Sequence, residues 1–207
     1  MTAGHRVLLT YFEAFGGQSL NASKEAVLAM DAGDLDVIRV ELPCVFGRAI
    51  EELRTQLETH QPDLVVCVGQ AGGRPGISLE RVAINVDDAR IPDNAGATPI
   101  DVPIVDDGPA AYFSTLPIKA IVHALRRAGL PAEVSQSAGT FVCNHVFYGL
   151  MHELKAPVRG GFVHVPFLPS QGTPSLTVSD QARALTLLVR TALTTDADVK
   201  LAGGATH

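Results

Sequence analysis

The amino-acid sequence predicts an α/β fold: a single domain with a twisted, mostly parallel central sheet and helices on both faces. Three observations carry this. Strand-like and helix-like segments alternate from end to end. The strand segments include short apolar runs such as DLVVCVG (63–69), the kind buried on both faces. The helical segments repeat their apolar residues at a period near 3.6.

Taken in order, RVLLTYF (6–12) reads as a buried strand. After a Gly-Gly loop, SKEAVLAM (23–30) reads as a helix with Ser23 as its N-cap. LDVIRVEL (35–42) is a second strand. In 48–60 Ile50, Leu53 and Leu57 recur at helical spacing. ISLERVAINV (77–86) alternates at period two, with Glu80 on the side of Val82, Ile84 and Val86. Pro117 at a first helical position and Gly129 past the end bracket a helix over 117–128. AEVSQS (132–137) is a strand, and Val146, Phe147, Leu150, Met151 and Leu154 give the next segment an apolar helical face. GGFVHVPF (160–167) is the last strand, and 179–194 is a closing helix opened by Ser179. Between these elements 87–108 shows no period, and so long an aperiodic stretch is expected to serve as a lid or wall over a site.

The 207 residues fit one domain, placed at 1–194, followed by a small, polar tail over 195–207 that is expected to fray. A formal net charge of -6 without a basic run argues against nucleic acid or an anionic membrane as partner. MTAGHRVLLTYF lacks the apolar core of a signal peptide, and no run approaches the roughly 18 apolar residues of a membrane span. Three scattered cysteines do not make a disulfide framework and fit a reducing cytoplasm.

Cys67, inside LVVCVG, reads as core, and Cys44, after Pro43, as packing. Cys143 differs, because Gly139 and Thr140 precede it and Asn144 onward turns helical. Its sulfur therefore belongs near a helix N-terminus, where free N–H groups and the dipole lower a thiol pKa by about one unit. That alone makes no poised thiolate, and a histidine is needed to carry the proton. Of seven histidines, His5 and His207 are near-terminal, and His60, His123 and His152 lie on helix ends or faces. His145 is too near in sequence to face the sulfur easily. His164 remains, inside the apolar strand GFVHVPF, where it reads as a core histidine or as a base. Glu80 among apolar neighbours is costly to bury alone, and a carboxylate and an imidazole can satisfy one another. With the thiol they make a set of nucleophile, base and orienter.

Other chemistries find less support. There is no CxxC or HExxH, Cys143 with His145 cannot hold zinc, and VGQAGG (68–73) departs from the dinucleotide pattern. Asp87, Asp88, Asp93, Asp101, Asp106 and Asp107 lack EF-hand spacing and read as a solvated loop. A nucleoside-phosphorylase-like α/β enzyme and a binding module without turnover stay open as alternatives.

SLERVAINV, ARIPDNAG, SAGTFVCNHVFYGLM and GGFVHVPF together resemble the pyroglutamyl peptidase I (pyrrolidone carboxyl peptidase) family. YFEAFGG with NAS (11–17, 21–23) and CVGQAGGR (67–74) match further motifs of that family in the same order. The resemblance implies a single α/β domain, assembled as a homotetramer in the cytoplasm and working without cofactor or metal. It implies a cysteine exopeptidase whose partners are peptides bearing an N-terminal pyroglutamyl residue, not nucleic acid or membrane. Carried over by motif, Cys143 is the nucleophile, His164 the base and Glu80 its orienter. Arg90 joins the Cys143 backbone N–H at the oxyanion. Phe12 and Phe15 resemble the aromatics that sandwich the substrate ring, and Gln70, Ile91, Phe141 and Val142 fall where the family lines its pocket. The first loop departs from the family pattern at Tyr11, Ala14 and Ala22, where the family has glycine and two prolines, so that loop is expected to be less rigid.

Overall fold

Residues 5–204 are described by the structure, a computed structural model. Along the chain come β1 (Arg6–Phe12), α1 (Ala22–Ala29), β2 (Asp36–Leu42), α2 (Arg48–His60), β3 (Leu64–Gln70), β4 (Ile77–Glu80) and β5 (Val82–Ile84). They are followed by β6 (Ala111–Phe113), α3 (Ile118–Arg127), β7 (Ala132–Ser135), α4 (Val142–Glu153), β8 (Arg159–Val165) and α5 (Val178–Thr194). The main sheet has six strands in the order β2-β1-β3-β8-β4-β7. β2, β1, β3 and β8 pair in parallel, whereas β4 runs antiparallel to β8 and parallel to β7.

Period-two geometry sorts each strand between two cores. Val7, Leu9, Val66, Val68, Leu79 and Val163 face the layer of α1, α3 and α5. Leu8, Val65, Cys67 and Phe162 face the layer of α2 and α4, against Val146, Phe147 and Leu150. The predicted mostly parallel sheet with helices on both faces is present. No helix among the described residues is long and apolar enough to cross a membrane.

Several elements differ from the sequence expectation. ISLERVAINV is two strands: β4 lies in the main sheet, and β5 pairs with β6 in a separate two-stranded sheet. Alternation persists across Arg81, so the pattern does not mark the change of sheet. Helix α1 begins at Ala22, and its cap is Asn21, whose side chain accepts from the Ser23 N–H at 3.0 Å. Ser23 is buried in the first turn, where its hydroxyl donates to Asn21 Oδ1 at 2.8 Å. α3 starts after Pro117, which holds the cap position, and Gly129 follows with φ +76°. α5 is capped by Thr177, not Ser179: Thr177 Oγ1 accepts from Asp180 N at 3.1 Å.

The segment 195–204, expected to fray, lies against the molecule. Asp198 accepts the N–H groups of Lys119 and Ala120 at the uncapped start of α3, and the Gly203 carbonyl accepts from Arg81 Nη2. Residues 205–207 of that tail, and 1–4 of the N-terminal reading, fall outside the described residues.

The cap assignment has a measurable consequence. Thr177→Ala is expected to destabilise the fold by about 1 kcal/mol, and Ser179→Ala by no more than a few tenths, in urea titrations. Equal losses would return the cap to Ser179.

Candidate active site

Three elements converge at the carboxyl ends of the parallel strands. In β8, Phe162 and His164 project to the α4 face, because Val163 and Val165 pack on the other. In β3, Gly69 is the register partner of His164 and so points to the same face. A Cβ placed on Gly69 would lie 2.9 Å from the Cys143 Sγ and 2.8 Å from the Phe162 ring. Glycine there is what lets the thiol, the aromatic ring and the sheet meet. The Phe162 and His164 rings are themselves 4.9 Å apart. In β4, Ile77 and Leu79 face the α1/α3/α5 layer, which leaves Ser78 and Glu80 on the α4 face; Ser78 pairs with His164.

Glu80 and His164 close the set. His164 Nδ1 lies 2.7 Å from Glu80 Oε1, with the two side chains 4% and 0% exposed. Arg74 reaches the same oxygen, Nη1 to Oε1 at 2.6 Å, and its Nη2 donates to the Ser137 carbonyl. Burial opposes ionisation of Glu80, but the His164 hydrogen bond and the Arg74 charge outweigh it and hold the carboxyl below its ordinary range. For His164 burial dominates: it lowers the imidazole below its ordinary value, against the contrary pull of Glu80. The resting pair is therefore carboxylate and neutral imidazole. Nδ1–H donates to Glu80, which leaves Nε2 as a free lone pair.

Cys143 is the second residue of α4 and partly exposed. The helix dipole does not make it a resting anion. Burial pushes the thiol well up, the neighbouring Cys44 and Glu80 add to that, and Arg74 only partly opposes it. Desolvation thus outweighs the lowering of about one unit that the sequence expects from the helix N-terminus. Phe141, the N-cap of α4, makes no side-chain capping bond, and the first backbone bond back to the cap is His145 N to Phe141 O. The N–H groups at the head of α4, that of Cys143 among them, stay available to an acceptor. Cys44 and Cys67 are buried, and burial raises both thiols to about 12.

The remaining predicted residues surround this centre unequally. Phe15 is half-buried, and its ring lies 6.1 Å from that of Phe141. Phe46, which sequence reasoning did not single out, packs edge-on to Phe141 at 5.3 Å. Phe12 is 2% exposed and stacks toward Phe162 in the core. Val142 is fully buried. The Gln70 side chain turns to the opposite layer, where Oε1 accepts from Ala22 N at 2.7 Å and from Gln171 Nε2 at 2.8 Å. Ile91 is exposed, and its side chain approaches Gly16 of the loop after β1. Arg90 is exposed and takes part in none of the ion pairs among the described residues.

The aperiodic 87–108 segment is pinned beside the site. Asp88 N bonds to Thr140 O, Thr140 Oγ1 donates to Asp88 O at 2.7 Å, and Asn94 Nδ2 donates to Glu13 Oε1 and Ala14 O. Two of its aspartates, expected as solvated, are buried. Asp87 accepts from His145 Nδ1 at 2.7 Å, while His145 Nε2 accepts from Gly47 N, which ties α4 to the loop before α2. Asp93 accepts from the N–H groups of Phe46, Ala95 and Ala97, and those bonds bring its carboxyl below the usual range despite burial.

The family model described as pyroglutamyl peptidase matches residues 5–195. The chain belongs to that family. A pyrrolidone-carboxylate peptidase of Cupriavidus taiwanensis is 58% identical over 97% of this chain and 99% of its own length. Its counterpart in Escherichia fergusonii is 55% identical over the same shares. The crystal structure of pyroglutamyl peptidase I from Bacillus amyloliquefaciens, 43% identical, aligns with a TM-score of 0.92 over 97% of this chain and 100% of that one. That of the pyrrolidone carboxyl peptidase from Thermococcus litoralis, 38% identical, gives 0.90 over 96% and 99%. Membership removes the phosphorylase-like alternative.

The departures from the family's first-loop pattern have local replacements. Ala22 donates its N–H to Gln70, a bond that the family's proline cannot make. The Ala14 carbonyl is held by Asn94, and Tyr11 is 7% exposed within the α1/α5 core.

Gly69→Ala tests the close approach. The added methyl is expected to slow Cys143 alkylation by iodoacetamide at least tenfold and to cost about 1–3 kcal/mol of stability. Wild-type values for both would mean that the thiol does not rest against β3.

Proposed function

We propose that Cys143, His164 and Glu80 carry out the hydrolysis that family membership gives this chain: removal of N-terminal pyroglutamyl (5-oxoprolyl) residues from peptides through an acyl-enzyme. The observation that carries it is one buried hydrogen bond. Glu80 accepts the hydrogen bond of His164 Nδ1–H, so Nε2 is left to act as base on the face where Gly69 admits the Cys143 sulfur.

In the first half-reaction His164 Nε2 takes the thiol proton as Sγ attacks the carbonyl between pyroglutamate and the next residue. The tetrahedral oxyanion is met by the unpartnered Cys143 N–H at the head of α4, joined by Arg90 from the 87–108 segment. Imidazolium, steadied by Glu80, protonates the leaving amine, and the C–N bond breaks to leave a thioester. His164 then takes a proton from water, hydroxide adds to the thioester carbonyl, and collapse releases pyroglutamate and restores the thiol. Phe15, Phe141 and Ile91 wall the ring, and the buried Phe12 and Val142 back those walls from the core, while the Gln70 side chain turns away. A flat, neutral lactam fits such walls, whereas an ordinary N-terminal ammonium loses hydration there without a partner, so specificity is rejection of charge. We further place the chain in the cytoplasm as a homotetramer, as the resemblance implies; gel filtration tests the assembly.

Cys143→Ser is expected to lower release of a chromogenic amine from a pyroglutamyl substrate by at least about 10³-fold with the fold intact. Glu80→Gln is expected to lose about 10²- to 10⁴-fold, through the wrong tautomer. Wild-type rates in either variant would remove that residue from its role. Because burial holds His164 below its ordinary value, the acid limb of kcat/KM is expected below pH ~6.5, with the rate lost as pH falls through it. A limb well above that pH would overturn the neutral resting imidazole.

A further inference from the structure

We propose that Arg74 is a positioning residue of this peptidase, whose guanidinium holds Glu80 ionised and in place and thereby fixes the imidazole of His164. The inference rests on the roles proposed above for Cys143, His164 and Glu80.

Glu80 is fully buried, and all of its hydrogen bonding falls on one oxygen. Oε1 receives both His164 Nδ1 at 2.7 Å and Arg74 Nη1 at 2.6 Å, while Oε2 is buried without a partner. With His164 neutral, the pair carries a net negative charge in the interior; Glu80 lacks the several backbone N–H donors that hold Asp93, so a cation is what offsets its burial. The groups facing Glu80 are His164 from β8, the Ser135 hydroxyl from β7, Cys143 from α4, and Arg74 from the β3–β4 turn. Arg81, next in sequence, sends its Nη2 to the Gly203 carbonyl instead. Among the described residues Arg74 is therefore the one permanent cation on the carboxylate.

The turn is built to deliver it. A Cβ at Gly72 would strike the Phe167 ring, Gly73 has φ +81°, and Gly76 meets the Pro131 carbonyl, so the chain passes close to its neighbours on both sides of Arg74. The Arg74 side chain is 25% exposed, so it reaches inward from the rim. Its second nitrogen holds the Ser137 carbonyl, two residues before Gly139 and the approach to Cys143. One planar fork thus spans the orienter and the segment that carries the nucleophile, a geometry an ammonium cannot reproduce in full.

The sign of the pH effect follows. A cation beside the Glu80–His164 pair disfavours proton uptake by either member, so its removal lets the pair protonate at higher pH. In Arg74→Met, kcat at pH 7 is expected to fall about 10- to 100-fold with KM changed by no more than about threefold. The acid limb should move up by about one pH unit. Arg74→Lys, which keeps the charge, should return the limb to within a few tenths of wild type while recovering only part of kcat. A uniform loss with the limb unmoved, or a Lys variant whose limb stays where Met put it, would overturn the proposal. Should Arg74→Met fail to fold, the double variant Arg74→Met/Glu80→Gln is expected to fold with the stability of Glu80→Gln alone, because the uncompensated charge is gone. A double variant that also fails to fold would assign Arg74 to packing and sink the inference. The Cys143→Ser assay separates the levels: activity retained there defeats the catalytic reading itself, whereas an inactive Cys143→Ser with an unmoved limb defeats only the role of Arg74.

Discussion

The hydrogen bond between the buried Glu80 carboxylate and His164 constrains everything around it. A carboxylate taken out of water loses solvation worth several kcal/mol, and this one regains it through a single oxygen shared by an imidazole and a guanidinium. From that follow the tautomer of His164, the inward reach of Arg74 and the closeness of the β3–β4 turn to its surroundings. Hydrophobic burial supplies the stability of the two cores; the polar trio is where that burial is resisted.

Sheet topology explains why the trio can form at all. A fully parallel sheet would send β4 in the same direction as β8. Here β4 reverses beside β8, and Ser78 falls opposite His164 with Glu80 two residues on, on the same face. The helix that brings Cys143 enters over that face, and Gly69 removes the side chain that would have kept it off. Phe12, Gln70 and His164 lie at or near the ends of β1, β3 and β8, the carboxyl edge where open α/β sheets bind ligands. From that edge also depart the loop after β1 and the Arg74 turn.

What the sequence disclosed and what it hid divide along range of interaction. Strand and helix segments were legible because apolar periodicity is local, and Cys143, His164 and Glu80 were legible because a polar group inside an apolar run is conspicuous. Two adjacent cap-capable residues, Asn21 and Ser23, could not be ranked without knowing which N–H groups lay free, and Thr177 was hidden behind Ser179 for the same reason. The break at Arg81 was invisible because period two carries through it unchanged. Phe46 and the Asp87–His145 pair act through residues distant in sequence, 58 positions apart in the latter case, and Arg74, though six positions from Glu80, meets it across a turn that carries no period. Only the AGGR motif, matched without a role attached, hinted at Arg74. The expected lowering of the Cys143 thiol was reversed for a related reason: the helix dipole is a local quantity, whereas the burial that overcomes it is contributed by the whole fold.

A neutral resting thiol suits this chemistry. Thiolate and imidazolium in a dry site would face a lactam that offers no charge to stabilise either. In the proposed mechanism, leaving both neutral defers charge separation until the carbonyl is in place, when the oxyanion would meet the open head of α4 and the imidazolium Glu80. Arg74 then acts on both members of the pair, since it keeps Glu80 charged and also opposes the imidazolium. Its direct effect on His164 is the weaker because Glu80 stands between them, but both effects have one sense: they oppose proton uptake by the pair. The carboxylate thus makes the imidazole basic enough to accept the thiol proton, and the guanidinium keeps it from staying protonated at rest.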